Sequence, residues 1–231
     1  MSRVTKFWSE NKGFIVFLFL MLFFRSAIAD WYHVPTGSMQ PSILIGDRVY
    51  VNKLAYDVKV PFSSINLSRR AEPQRGDVVV FDSKASDNRL IKRVIGVPGD
   101  LVEMKNNQLF INGQPLKIQS VQYPSEFDRF LNDRQIAGYY QESLENESHI
   151  LREHFVRVRL GVFSQLSSFP AVEVPEDYLW VMGDNRDNSA DSRVIGLVPR
   201  SELIGRAESV VISFDKNHYY LPRSDRYSVE L

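Results

Sequence analysis

Apolar and polar positions divide the chain into three stretches of different character. The first is an unbroken apolar run from Gly13 to Phe24, preceded by Arg3, Lys6 and Lys12 and closed by Arg25. As helix it would measure ~18 Å, short of the ~30 Å hydrocarbon core of a bilayer. Carried on to Ala29 it reaches ~25 Å, with Arg25 snorkelling towards the interface. Two readings fit this pattern. One is a cleavable secretory leader ending in Ala27-Ile28-Ala29. The other is a retained membrane anchor over residues 13–29, with Trp31 and Tyr32 as interfacial aromatics. Both keep the basic residues 1–12 in the cytoplasm and put residues 30–231 on the other side of the membrane.

From Asp30 onward the pattern predicts short strands separated by turn residues. Arg48–Val51 follows Gly46-Asp47, Asp77–Phe81 follows Arg75-Gly76, and Leu90–Val97 ends at Pro98-Gly99-Asp100. Leu101–Met104 and Gln108–Ile111 flank Asn106-Asn107 as a hairpin, and Asn112-Gly113 reads as a second turn. Tyr178–Met182 and Ser209–Phe214 complete the set. This spacing predicts a mainly β fold, a sandwich or barrel-like core. Residues 120–170 are polar and lack sustained alternation; they read as an inserted subdomain with a helix around Glu142 to Phe155.

Composition narrows the chemistry. With 28 basic and 28 acidic residues the net charge is zero, which gives no electrostatic case for nucleic acid. The chain has no cysteine, which removes disulfides, thiolate catalysis and Cys-based zinc sites. No cofactor or metal motif is evident.

Candidate chemistry begins at Pro35-Thr36-Gly37-Ser38-Met39, where Ser38 sits in a Gly/Pro-punctuated turn suited to displaying a nucleophile. Serines in such turns are common, so an activating base decides the matter. Lys92 lies within Leu90-Ile91-Lys92-Arg93-Val94-Ile95, and alternation points it to the face of Leu90 and Val94. A lysine of ordinary pKa, ~10.4, is almost never neutral near pH 7, whereas desolvation by apolar neighbours lowers that pKa. The bland alternative is an edge-strand lysine that blocks aggregation.

The third segment is the polar loop Gly183 to Arg193, after the Tyr178–Met182 strand. It reads either as a surface loop or as a network bracing a catalytic group, with Asp191 and Arg193 as a local ion pair. It fails as a calcium loop, because Ser192 and Val198 stand where the glycine and the glutamate belong. His149 and His154 around Glu153 miss the zinc-protease spacing. Of the four histidines only His33 is near Ser38 in sequence, with no conspicuous aspartate to orient it.

Together, Pro35-Thr36-Gly37-Ser38-Met39 with Pro41 and Ile45-Gly46-Asp47, Arg75–Phe81, Ile91–Asp100 and Gly183–Arg193 resemble the bacterial type I signal peptidases. These are membrane-anchored Ser/Lys endopeptidases that act on exported preproteins. The resemblance implies Ser38 as nucleophile and Lys92 as general base, oriented by Ser189. It implies an oxyanion hole from the Ser38 N–H and the Thr36 hydroxyl, where many relatives carry serine. Gly183, Asp191 and Arg193 would support the site, and Val34, Pro35, Met39 and Ile91 would contact small substrate residues of an Ala-x-Ala sequence.

The resemblance also favours a retained single-pass anchor in the cytoplasmic membrane, since cutting after Ala29 would release the enzyme from its substrates. Partners implied are preprotein signal peptides and the lipid bilayer. Two alternatives stay open: a specialised relative serving a few substrates, of conjugation or pilus type, and a secreted, non-catalytic β-domain with a cleaved leader.

Overall fold

The computed structural model describes residues 3–63, 65–121, 137–146, 150–159, 165–216 and 218–231. It is mainly β, with one long N-terminal helix, α1 (Arg3–Ala27). The helix starts ten residues before the expected 13–29 segment and stops two residues short of its end. No helix among the described residues is long and apolar enough to cross a membrane. The expected spanning helix is therefore not found, and the reason is local. The apolar run is bracketed by Lys12 and Arg25, with Glu10 two residues further out. The side chains of Phe14, Phe17, Phe19, Leu20 and Phe24 along α1 are nonetheless exposed.

After α1 the chain turns directly into the strand Ala29–His33, paired with Asp47–Asn52. A nine-stranded sheet continues through Leu203–Asp215, Val78–Ser83, Asn88–Gly96, Tyr178–Met182 and Val198–Pro199. Leu221–Pro222 and Val229–Glu230 add to Leu203–Asp215. The run Val78-Val79-Val80-Phe81 is buried throughout, as expected of a central strand covered on both faces. Val78 and Val80 enter a core with Val34, Met39, Ile43, Val49, Val51 and Val210. Val79 and Phe81 point the other way, into a core with Val94, Leu179, Val181 and Leu203. Each buried Val or Phe side chain contributes roughly 1.5–3 kcal/mol. The Ser38 turn and the Lys92 strand are thus both packed against the Val78–Ser83 strand.

Between Leu101 and Glu173 the chain leaves this sheet to build two smaller ones. Phe169–Glu173, Leu101–Lys105, Gln108–Ile111 and Gln114–Pro115 form one of them. Both expected turns are there: Asn106 and Asn107 have φ of 49° and 67°, and Asn112 and Gly113 have 52° and 77°. Asn and Gly tolerate this left-handed region best. The other sheet comprises Lys117–Val121, Ala137–Glu145 and Leu151–Arg159.

The helix expected around Glu142 to Phe155 is therefore replaced by two antiparallel strands, with Gln141 opposite Phe155. Their inward rows include Glu142 and Leu144 on one strand, followed by the buried Asn146, and His154, Val156 and Val158 on the other. Buried polar members hide the period of two that would mark strands.

Candidate active site

Ser38 opens the turn after Val34-Pro35-Thr36-Gly37, with Gln40 N–H donating to Gly37 O (3.1 Å) and Ile43 N–H to Met39 O (2.9 Å). Met39 and Ile43 plug this turn into the core while Ser38 stays half-buried. Lys92 comes from the Asn88–Gly96 strand, where register sets it opposite Val79. Its side chain is 2% exposed, and Nζ lies 2.7 Å from Ser38 Oγ and 2.9 Å from Ile91 O.

Burial among apolar neighbours pushes the Lys92 ammonium down to about 8, assisted by Arg193 and opposed by the carboxylates of Asp191 and Asp184. With that pKa about a tenth of the amine is neutral at pH 7. The pair has the contact and the basicity needed to move a proton from a serine hydroxyl to an amine. His33 lines the same cleft, but the base that touches Ser38 Oγ is Lys92.

The cleft above the pair has a volume of about 460 Å³ and a mostly apolar wall from Val34, Met39, Ile43, Val80 and Ile91. Pro35 and Thr36 lie on its rim and are exposed. All four residues expected to contact substrate therefore line one cleft with Ser38 and Lys92.

The polar loop after Tyr178–Met182 stands behind the pair. Arg193 grips Asp191 through two hydrogen bonds of 2.9 and 2.8 Å, and its third arm reaches Leu166 O at 2.9 Å. Burial opposes ionisation of Asp191, but Arg193 and the Gly183 N–H, 3.0 Å from Oδ2, hold its carboxyl below the usual range. Gly183 is packed so closely that a Cβ there would collide with Ser38 O and Ser189 Oγ. Ser189 is buried beside it. Its hydroxyl helps keep Asp191 ionised but closes no well-formed hydrogen bond among the described residues, and so none to Lys92. The expected hydrogen bond from Ser189 to Lys92 is thus not made.

Several residues with no assigned role in the sequence reading prove central. Asn185 donates its N–H to Ser38 O and its side-chain amide to Gly37 O, both at 3.0 Å. Arg93 and Asp184 form a buried, two-pronged ion pair. Asp184 and Asn185 lie inside the polar loop, but nothing in their sequence context tells a nucleophile brace from a surface turn. His154, considered above as a metal ligand, is buried against Glu142. His149 lies outside the described residues. Among the described residues no group of three or more His, Asp or Glu could hold a metal ion.

A buried lysine thus stands against a serine, in an apolar cleft backed by a carboxylate–guanidinium loop. Comparison with known proteins gives the family. The family model "Signal peptidase, peptidase S26" matches residues 8–212, and the chain belongs to this family. It is 34% identical over 232 residues to a signal peptidase I from Pseudomonas aeruginosa, covering 95% of this chain and 78% of that one. It is 36% identical to a signal peptidase I from Aquifex aeolicus, covering 84% and 81%. A crystal structure of a signal peptidase I from Enterococcus faecalis is 28% identical, with a TM-score of 0.34 over 59% of this chain and 97% of that one.

Proposed function

We propose that this chain is a serine endopeptidase that removes signal peptides from exported preproteins, with Ser38 as nucleophile and Lys92 as general base. The observation that carries the reading is the 2.7 Å contact between Lys92 Nζ and Ser38 Oγ at the floor of an apolar cleft. Lys92 takes the Ser38 proton as Oγ attacks the carbonyl carbon of the scissile peptide bond. The oxyanion that forms is held by the Ser38 N–H and the Thr36 hydroxyl. As the tetrahedral intermediate collapses, the Lys92 ammonium returns the proton to the leaving amine. Water, deprotonated by Lys92, then hydrolyses the acyl-enzyme and regenerates Ser38.

Substrate shape follows from the cleft. Residues 88–92 pair only with Val78–Ser83 among the described strands, which leaves an open strand edge beside Ser38 for an extended peptide. Val34, Pro35, Met39 and Ile91 offer room for small side chains, matching an Ala-x-Ala product end. Asp191, Arg193, Gly183 and Ser189 support the site from behind.

Membrane attachment belongs to the same proposal. The α1 helix would hold the domain in the bacterial cytoplasmic membrane as a single pass, with residues 1–12 in the cytoplasm and residues 30–231 outside. Supporting this are the exposed Phe and Leu side chains of α1, which need an apolar medium to cover them. At its end Arg25 lies 2.7 Å from Asp30 and 5.2 Å from the Trp31 ring, an arrangement suited to an interface. Complementation of a signal-peptidase-depleted strain tests the function: wild type should restore growth and Lys92→Ala should not. Rescue by Lys92→Ala would sink the dyad.

A further inference from the structure

A second buried charged cluster lies outside the lining of the cleft. The Arg186 guanidinium donates to both oxygens of Glu142, at 3.2 Å to Oε1 and by a shorter bond to Oε2. His154 Nε2 lies 3.3 Å from the same Oε2. Glu142 and His154 are register partners on the Ala137–Glu145 and Leu151–Arg159 strands. All three side chains are buried. Burial opposes ionisation of Glu142, yet Arg186 and His154 bring its carboxyl down to about 2. Buried ion pairs are weak stabilisers compared with apolar packing, so this one calls for another reason.

The backbone supplies that reason. Arg157, on the same strand as His154, donates its N–H to Asp184 O at 2.9 Å and accepts at its own carbonyl from the Arg186 N–H at 3.0 Å. Asn185 is thereby locked to the strand as a parallel bridge. It is Asn185 that holds the carbonyls of Gly37 and Ser38. The strand grips the loop by its backbone, and Glu142 grips the side chain of the residue that follows Asn185.

We propose that Glu142 is a positioning residue for the nucleophile: through Arg186 it fixes Asn185, and so the turn that presents Ser38 to Lys92. This inference rests on the Ser38/Lys92 reading. It gives the smaller sheet a part in the reaction without any contact with substrate.

Electrostatics give the role a signed signature. Lys92 is faced by Asp191 and Asp184, which favour its ammonium, and by Arg193, which disfavours it. Arg186 is faced by Glu142, Asp184 and Asp191. His154 is faced by Arg93, Glu142 and Asp184. Without the Glu142 charge, the Arg186 cation is left uncompensated beside Asp184 and Asp191, the carboxylates that face Lys92, and the net field at the ammonium becomes more positive. The acid limb of the rate profile moves to lower pH. A role confined to stability would leave that limb in place.

The experiment measures kcat, KM and the pH profile of the full chain in detergent on an Ala-x-Ala peptide. Glu142→Gln should lower kcat roughly 10- to 100-fold, the scale of a misplacement of about 1 Å, and move the acid limb down. KM should stay within about twofold, and Glu142→Asp should recover part of the loss. A folded Glu142→Gln protein with wild-type kcat and an unmoved limb overturns the proposal. Where that variant does not fold, Glu142→Leu/Arg186→Met removes both charges and leaves neither unpaired. It should fold and still lose roughly tenfold or more in kcat; wild-type kcat in it overturns the proposal equally. Ser38→Ala run alongside separates the two claims. If it is active, the dyad fails; if it is inactive while Glu142→Gln is normal, only the positioning role fails.

Discussion

Arg93 holds Asp184 through two hydrogen bonds of 2.9 and 2.8 Å, with both side chains buried. Arg93 is the residue after Lys92, and Asp184 is the residue before Asn185, which holds the Ser38 carbonyl. The ion pair therefore joins the strand that carries the amine to the loop that braces the Ser38 turn. A third bond, from Arg93 to Gly76 O at 3.0 Å, fixes the guanidinium.

Asp184→Asn leaves the Arg93 charge buried and unpaired. Breaking a buried pair in this way costs ~3–5 kcal/mol. Thermal unfolding should show a clear drop in Tm, and denaturant titration a loss on that scale. A loss below about 1 kcal/mol, the level of an exposed pair, would mean that the pair is not buried as described.

Lys92 should be a burden on stability at neutral pH. Its pKa falls from 10.5 to about 8 on folding. Below pH 8 both the folded and the unfolded chain carry the proton, and the folded state bears the full penalty, about 3 kcal/mol. Between pH 8 and 10.5 the unfolded chain binds more protons than the folded one, so stability rises with pH. Lys92→Met should therefore unfold at higher temperature than wild type at pH 7, with the gap narrowing across that window. A gap that is constant with pH would contradict a desolvated lysine.

The legible parts of the fold were those whose side chains obey simple periods. Val78-Val79-Val80-Phe81 reads as a buried strand because every position is apolar, and it is buried on both faces. The Asn106-Asn107 and Asn112-Gly113 turns were legible because few residues adopt positive φ without strain. The Ala137–Glu145 and Leu151–Arg159 strands were not, because Glu142 and His154 occupy inward positions that hydrophobic periodicity scores as outward. Ser38 and Lys92 stood out by residue type in an unusual setting. Asn185 and Glu142 act through partners far away in sequence, and no local pattern marks such a contact. The apolar run in α1 is visible in the sequence, while its shortness between Lys12 and Arg25 leaves no described helix long and apolar enough to cross a membrane, so the anchor stays a proposal.

Gly183→Ala should inactivate the enzyme while leaving the fold in place. The added methyl meets the Ser38 carbonyl and the Ser189 side chain, so the nucleophile turn must move away from the loop. Misplacement of about 1 Å is enough to cost ~100-fold in rate. Circular dichroism and kcat/KM on an Ala-x-Ala peptide test this together. A folded Gly183→Ala protein with wild-type kcat/KM would show that the close approach is not needed.

The chain's own Ala27-Ile28-Ala29 should resist cleavage. Ala29 is buried and paired with Asn52, and Ile28 O accepts the Lys53 N–H at 2.9 Å. A protease needs an extended, accessible segment, and these residues are already committed to a helix end and a strand. Intact-mass measurement on wild type and Ser38→Ala from membranes should give the full chain in both. Recovery of wild type mainly as a species beginning at Asp30, with Ser38→Ala uncut, would show that the segment opens.

The neutral form of Lys92, which burial makes accessible near neutral pH, is in this reading the base that activates Ser38. The pH dependence of kcat/KM reports the free enzyme's essential base directly. The acid limb should have a midpoint close to the value of about 8 that burial gives Lys92. A midpoint near ~10.4, that of an ordinary lysine, or near ~6.5, that of a histidine, would contradict it.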